Sequence, residues 1–88
     1  MIRRRVIVHG LVQGVFFRDS VRRRAEAAGV SGWARNNRDG SVEAVFEGEE
    51  DAVERLVRFC HVGPSDSRVD RVDLFDESPQ ALAGFRIS

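Results

Sequence analysis

The sequence predicts a small α+β domain whose elements follow the order β-α-β-β-α-β. Alternating apolar segments predict the strands, apolar positions three or four residues apart predict the helices, and glycine-containing turns separate them. A chain of 88 residues has room for one hydrophobic core, so we expect a single domain over residues 1–88. The hydrophobic fraction of 42% and the charged fraction of 32% are ordinary for a globular protein.

The first strand and the first helix lie on either side of a glycine-containing loop. Ile2, Val6 and Val8 are separated by even numbers of residues and so share one face of an extended chain, which predicts a strand that ends at His9-Gly10. The helix is predicted from apolar residues at spacings of four, four and three. These residues are Phe17, Val21, Ala25 and Ala28. Gly29 follows them in the position where helices commonly end.

The second half of the chain predicts a hairpin, a helix and a final strand. Residues 30–36 and 41–47 predict two strands, and Asp39-Gly40 between them is typical of a hairpin turn. Acidic residues 49–51 then begin a helix that ends at Gly63-Pro64. Its apolar face comprises Ala52, Val53, Leu56, Val57 and Cys60. Val69, Val72 and Leu74 mark a fourth strand, and residues 84–87 close the chain as a short extended segment.

This order favours the ferredoxin-like split βαβ fold, an antiparallel sheet with two helices on one face. Right-handed crossovers fix the remaining connections. Large aromatic side chains in alternating or helical positions are expected in the core. They are Phe17, Trp33, Phe46 and Phe85.

Composition excludes several classes of protein. The chain has no apolar run of the roughly 18–20 residues that span a membrane, and its N-terminal apolar segment is too short for a secretion signal. The single cysteine, Cys60, allows no internal disulfide, which favours a reducing, cytoplasmic compartment. We expect no metal and no cofactor, because His9, His61 and Cys60 are too scattered for a zinc site. The absence of lysine excludes Schiff-base chemistry.

Charge is divided unevenly between the two halves of the chain. Residues 1–40 contain nine arginines and three acids, whereas residues 41–88 contain five arginines and eleven acids. The net charge is nevertheless zero. This asymmetry favours a local electrostatic role over a uniformly basic nucleic-acid surface.

Residues 10–18, between the first strand and the first helix, predict an anion site. A chain that leaves a strand, turns through glycine and enters a helix directs several main-chain N–H groups toward one point. Gly14 has no Cβ, so an anion can approach its backbone closely. The segment contains neither the GxxxxGK[ST] nor the GxGxxG pattern, so it is not one of those phosphate-binding loops.

Arg18 supports the same interpretation. A cation in the first turn of a helix is unfavourable by about 0.3–1 kcal/mol, and an anion bound beside it reverses that sign. The alternative is that Arg18 pairs with Asp19 or extends into solvent, and the pattern alone does not decide. Arg22, Arg23 and Arg24 are expected on the solvent face of the helix, where they raise the potential for an anion.

Two segments resemble the signatures of the acylphosphatase family. The first is VHGLVQGVFFR at residues 8–18. The second is GWARN at residues 32–36, followed by DGSV at residues 39–42 and by Gly48. The resemblance covers essentially the whole chain and implies the ferredoxin-like fold. Leu11 departs from the pattern, because the family often has a polar residue at this position.

The resemblance also implies an activity and a set of site residues. It implies metal-independent hydrolysis of acyl phosphates to a carboxylate and inorganic phosphate, which is both product and inhibitor. Arg18 and the main-chain amides of residues 13–18 would hold the phosphate, and Asn36 would orient the attacking water. The remaining residues of that loop are Gln13, Gly14, Val15, Phe16 and Phe17.

Three points go with this assignment. The pattern alone does not choose between Asn36 and Asn37, and the family match selects Asn36. Phe16 lies off the apolar stripe of the first helix and is a candidate for the mouth of the site. We expect a monomer that binds neither nucleic acid nor membrane.

Two other functions are compatible with the same topology. An RNA-binding module would need stacking aromatics on its first and third strands, but the first strand has none and Phe46 shares a face with Val42 and Ala44. A regulatory domain that only binds phosphate would have no need for Asn36. Both alternatives are therefore less favoured than hydrolysis.

Overall fold

A computed structural model describes all residues from 1 to 88 and contains five strands and two helices. In chain order these are β1 (Ile2–Leu11), α1 (Phe17–Ala27), β2 (Ser31–Asn36), β3 (Val42–Gly48), α2 (Glu50–Val62), β4 (Arg68–Glu77) and β5 (Phe85–Ile87). The strands form one sheet in the order β4-β1-β3-β2-β5. Neither helix is long and apolar enough to cross a membrane.

The predicted α+β fold is confirmed, and both helices pack on one face of the sheet. Four strands are antiparallel to their neighbours, as expected. The short extended segment at the end of the chain pairs with β2 in parallel, which adds a fifth strand at the sheet edge. The ends of β1, β2, β3 and β5 differ from the predicted ones by one or two residues, and β4 extends three residues past Leu74, because local patterning defines boundaries less well than it defines elements.

The core lies between the sheet and the two helices. Phe17 and Phe46 are almost completely buried, and Phe85 stacks against Phe46 with the ring centroids 6.1 Å apart. Trp33 was expected in this core, and that prediction is wrong. It is half-buried on the opposite face of the sheet, because its strand neighbours Gly32 and Ala34 occupy the core-facing positions. A strand of alternating faces cannot bury all three residues against the helices.

A close approach between β1 and β4 determines where the loop before α1 begins. The register of this strand pair shifts between His9 and Gly10, as in a β-bulge. Gly10 has a φ of +135°, and a Cβ at this position would lie only 2.1 Å from the carbonyl oxygen of Arg68. Glycine is therefore required here, and the bulge directs the chain into the loop that precedes α1.

The turn between β2 and β3 differs in detail from a simple Asp-Gly hairpin. Only Gly40 has a positive φ, whereas the side chain of Asp39 accepts hydrogen bonds from the amide and the hydroxyl of Ser41. The hydroxyl bond, at 2.6 Å, and the amide bond hold the pKa of Asp39 below its usual range. This ordered turn fixes the end of β2, where Asn36 lies.

Candidate anion-binding site

A cavity of about 500 Å³ lies where the loop before α1 meets the ends of β2 and β5. Five of the seven residues predicted for the site line it: Gly14, Phe16, Phe17, Arg18 and Asn36. Val12, Asp19 and Ile87 complete the lining. The lining residues come from three separate parts of the chain, and the polar ones are Arg18, Asp19 and Asn36.

The loop supplies main-chain donors that have no protein partner. The N–H groups of residues 13–16 donate no hydrogen bond to any main-chain or side-chain acceptor. No side chain caps the N-terminus of α1, so the amides of its first turn are also free of capping. Such a cluster of donors at the positive end of a helix dipole favours a bound anion.

Two left-handed residues shape the loop. Gly14 has a φ of +76°, and the space where its Cβ would lie is open. Phe16 has a φ of 61°, which is uncommon for a residue with a bulky side chain. Strained backbone of this kind is concentrated at binding sites, where the surrounding structure maintains it.

Arg18 places a cation beside these donors. Its side chain is half-buried, and its Nη1 donates to the main-chain carbonyl oxygen of Ser88. No Asp or Glu side chain lies within ion-pair distance of it. The alternative in which Arg18 pairs with Asp19 is therefore wrong for this structure, and the guanidinium retains donors for an anion.

Asp19 instead pairs with two arginines of the following turn. Its Oδ1 lies 2.8 Å from Arg22 Nη2, and its Oδ2 lies 3.2 Å from Arg23 Nε. Both pairs follow the helical spacings of three and four residues. They offset the negative charge that Asp19 brings to the cavity wall.

The two adjacent asparagines point to opposite faces of the sheet. Asn36 lines the cavity, and its exposed side chain has no hydrogen-bond partner in the protein. The side chain of Asn37 instead donates to Ser41 Oγ at 3.0 Å and to Glu43 Oε1 at 3.3 Å. Of the two asparagines, only Asn36 lines the cavity.

Gln13 and Val15 do not line the cavity. The side-chain amide of Gln13 donates to the main-chain carbonyls of Asn37, at 2.7 Å, and Ser41, at 3.0 Å. Val15 is half-buried and packs against the core. Their main-chain amides belong to the loop, but their side chains hold it in place. Leu11 is also outside the cavity, so its departure from the family pattern does not affect the lining.

Glu43, which is buried on the face of the sheet opposite the helices, supports the turn that carries Asn37. Burial alone would raise the pKa of Glu43, but hydrogen bonds from Arg35, at 3.0 Å, and Asn37 more than offset it and lower the pKa. Arg5 Nη1 donates to the same carboxylate at 3.1 Å. Glu43 is therefore ionised at neutral pH and connects β1, β2 and the turn.

The other nucleophilic and titratable candidates lie away from the cavity. Cys60 is fully buried, and burial raises the pKa of its thiol to about 12, so it is inert as expected. His9 Nε2 lies 3.0 Å from Asp73 Oδ2 on the open face of the sheet, a partner that the sequence did not indicate. No three His, Cys, Asp or Glu side chains are grouped as they would be around a metal ion.

Sequence reasoning missed the contribution of the chain end. Ile87 lines the cavity and Ser88 accepts the hydrogen bond from Arg18, because β5 pairs in parallel with β2. The alternation of Phe85 and Ile87 was a signal that a strand was present. It carried no information about which strand would be its neighbour.

Comparison with known proteins agrees with this geometry. A family model described as Acylphosphatase matches residues 4–87. An acylphosphatase from Rubrobacter xylanophilus is 60% identical over 84 residues, which cover 94% of this chain and 76% of that protein. One from Roseiflexus sp. is 54% identical, covering 90% of this chain and 85% of that protein.

The likeness extends to three dimensions. The crystal structure of an acylphosphatase from Bacillus subtilis superposes with a TM-score of 0.95 at 35% identity. The match covers 100% of this chain and 99% of that one. Sequence and fold therefore indicate the same family.

Proposed function

The chain belongs to the acylphosphatase family and is an enzyme of that family, and from this premise we propose how it hydrolyses acyl phosphates. The substrate is a mixed anhydride of a carboxylic acid and phosphoric acid, and the products are a carboxylate and inorganic phosphate. One observation carries the proposal. The partnerless main-chain amides of Gly14 and Phe16, a guanidinium with no Asp or Glu partner and the free side-chain amide of Asn36 all belong to residues that line one cavity.

The phosphate group is held by Arg18 and the amides of residues 13–18. A guanidinium matches two phosphate oxygens at once, and each charge-assisted hydrogen bond contributes about 1.5–3 kcal/mol. The transition state of phosphoryl transfer is loose, with charge spread over the equatorial oxygens. Donors fixed before the substrate arrives stabilise that charge without reorganising.

Asn36 orients the attacking water. An amide side chain has no basic group at ordinary pH, so its contribution is to position the water by hydrogen bonds. The absence of protein partners for this side chain supports the assignment, since its donors and acceptor remain available. Asn37, whose amide is occupied by Ser41 and Glu43, is not available for this task.

The reaction places few other demands on the protein. A carboxylate is a good leaving group, so no strong general acid is required. The arginine and the loop amides supply the positive charge, so we propose a metal-independent reaction. Inorganic phosphate occupies the same site as product and therefore inhibits competitively.

The test is hydrolysis of benzoyl phosphate, followed as release of benzoate, with and without EDTA. We expect turnover that is unchanged by the chelator and inhibited competitively by phosphate. No turnover would contradict the proposed function. Activity that is lost in EDTA and restored by magnesium or zinc would contradict the metal-independent mechanism.

A further inference from the structure

We infer that Phe16 is a specificity-determining residue that favours acyl phosphates with an aromatic acyl group. The inference rests on the proposed function and extends it to the part of the substrate that the phosphate cradle does not hold. Phe16 lines the cavity, yet the residue is 79% exposed. Among the residues around the cavity, it offers the largest unused apolar surface.

The cavity has room for more than a phosphate. Its volume of about 500 Å³ is within the range of small-molecule sites of roughly 300–1,000 Å³. Half of its eight lining residues are hydrophobic. Two of these, Val12 and Phe17, are buried in the core and leave almost no surface free to contact a substrate. Phe16 and Ile87 are the apolar side chains left to contact an acyl group.

The position of Phe16 in the chain favours contact with the acyl end. It immediately precedes α1 and lies two residues before Arg18, so its ring belongs to the same turn that presents the phosphate donors. Phe16 has a left-handed backbone conformation and an exposed side chain, whereas the next residue, Phe17, is buried in the core. A substrate bound through its phosphate would extend its acyl group past this ring.

An aromatic acyl group is the chemistry that suits this surface. Aromatic rings pack against each other in offset or edge-to-face arrangements, and each pair contributes about 0.5–1.5 kcal/mol beyond the burial of area. An acetyl group has one methyl and gains little from Phe16. The predicted preference is therefore for aryl over short aliphatic acyl phosphates.

The experiment compares kcat/KM for benzoyl phosphate and acetyl phosphate in the wild type, Phe16→Asn and Phe16→Leu. Asparagine tolerates a positive φ better than most residues, so Phe16→Asn removes the ring while keeping the loop conformation accessible. The ratio of the two substrates is compared between variants, which cancels their different intrinsic reactivities. Phe75→Asn is the matched control, because Phe75 is a partly exposed aromatic on β4 outside the cavity.

We expect Phe16→Asn to lower the benzoyl-to-acetyl ratio by about five- to tenfold, a loss comparable with one aromatic contact. Phe16→Leu should give an intermediate ratio and Phe75→Asn an unchanged one. The inhibition constant of phosphate should stay within about twofold in all three variants, since the cradle and Arg18 remain.

Two results would overturn the inference while leaving the proposed function intact. One is that both kcat/KM values, and therefore their ratio, are the same in Phe16→Asn as in the wild type. The other is an equal fall for both substrates together with weaker phosphate inhibition, which would make Phe16 only a determinant of loop shape. If the wild type hydrolyses neither substrate, the proposed function fails and the inference fails with it.

Discussion

The side-chain amide of Gln13 donates a 2.7 Å hydrogen bond to the main-chain carbonyl of Asn37. A second bond, to the carbonyl of Ser41, lies at 3.0 Å. Together they fasten the anion loop to the turn that follows Asn36. These two bonds of Gln13 therefore help to set the distance between the loop and Asn36.

Gln13→Ala should lower kcat/KM for benzoyl phosphate by about tenfold or more, because small displacements of catalytic groups have large effects on rate. Loss of the two hydrogen bonds should reduce the free energy of unfolding by about 1–2 kcal/mol. Gln13→Glu should be worse on both counts, since a carboxylate would face two carbonyl oxygens. Kinetics and denaturant unfolding on both variants test this, and normal activity in Gln13→Glu would contradict it.

Arg18→Ala should abolish turnover and strongly weaken inhibition by phosphate. Arg18→Lys should also fail, because an ammonium cannot reproduce the planar fork of the guanidinium. Folding should be little affected, since the only hydrogen bond of the side chain is to Ser88. The matched control is Arg58→Ala, an exposed arginine of α2 without an ion-pair partner. Wild-type phosphate inhibition in Arg18→Ala would show that the cradle is misassigned.

Acid stability should depend on Glu77. Its carboxylate accepts hydrogen bonds from Arg3 Nε and Arg5 Nε, each at 2.8 Å, and these hold its pKa below the ordinary 4.5. A lowered pKa in the folded state stabilises the protein above the unfolded-state value, and this stabilisation is lost as the pH falls through the folded-state value.

Glu77→Gln should therefore have a lower Tm than the wild type at neutral pH. The difference in Tm between the two proteins should become smaller as the pH falls below about 4.5. The measurement is Tm against pH for both proteins. Glu26→Gln, which changes an exposed residue of α1, is the control and should follow the wild type throughout. A Glu77→Gln deficit that stays constant into acid would contradict the linkage.

The parts of the fold and the site that rest on local patterns could be predicted from the sequence. Glycine at position 14, the cation at position 18 and the helix that follows are neighbours in the chain, so their shared site was visible as a motif. The strand and helix order followed from periodicity in the same way.

Features that depend on distant partners could not be predicted. The side chain of Gln13 donates to a main-chain carbonyl 24 residues away. Every residue has a main-chain carbonyl, so no pattern of side chains in the sequence indicates this partner. The parallel pairing of β5 with β2, which brings Ile87 to the cavity, is a similar case. Trp33 was misplaced because its size favoured the core, whereas strand alternation assigned that face to Gly32 and Ala34.

Because Asn36 and Asn37 point to opposite faces of the sheet, we expect their alanine variants to lose different properties. Asn37→Ala removes bonds to Ser41 and Glu43, so it should reduce the free energy of unfolding by about 1 kcal/mol and affect the rate only modestly. Asn36→Ala removes a side chain without protein partners, so stability should be unchanged and the loss should be in the chemistry. Asn37→Ala is thus the matched control for Asn36→Ala.

The most direct test of the proposed division between binding and chemistry is kcat and the phosphate inhibition constant of Asn36→Ala, measured with benzoyl phosphate. We expect a fall in kcat of about 10²–10³-fold, the scale for losing one preorganised polar group, with phosphate inhibition nearly unchanged. Phosphate binding that weakens in proportion to the rate would contradict it, since Asn36 would then be a phosphate ligand and the water would have no identified partner.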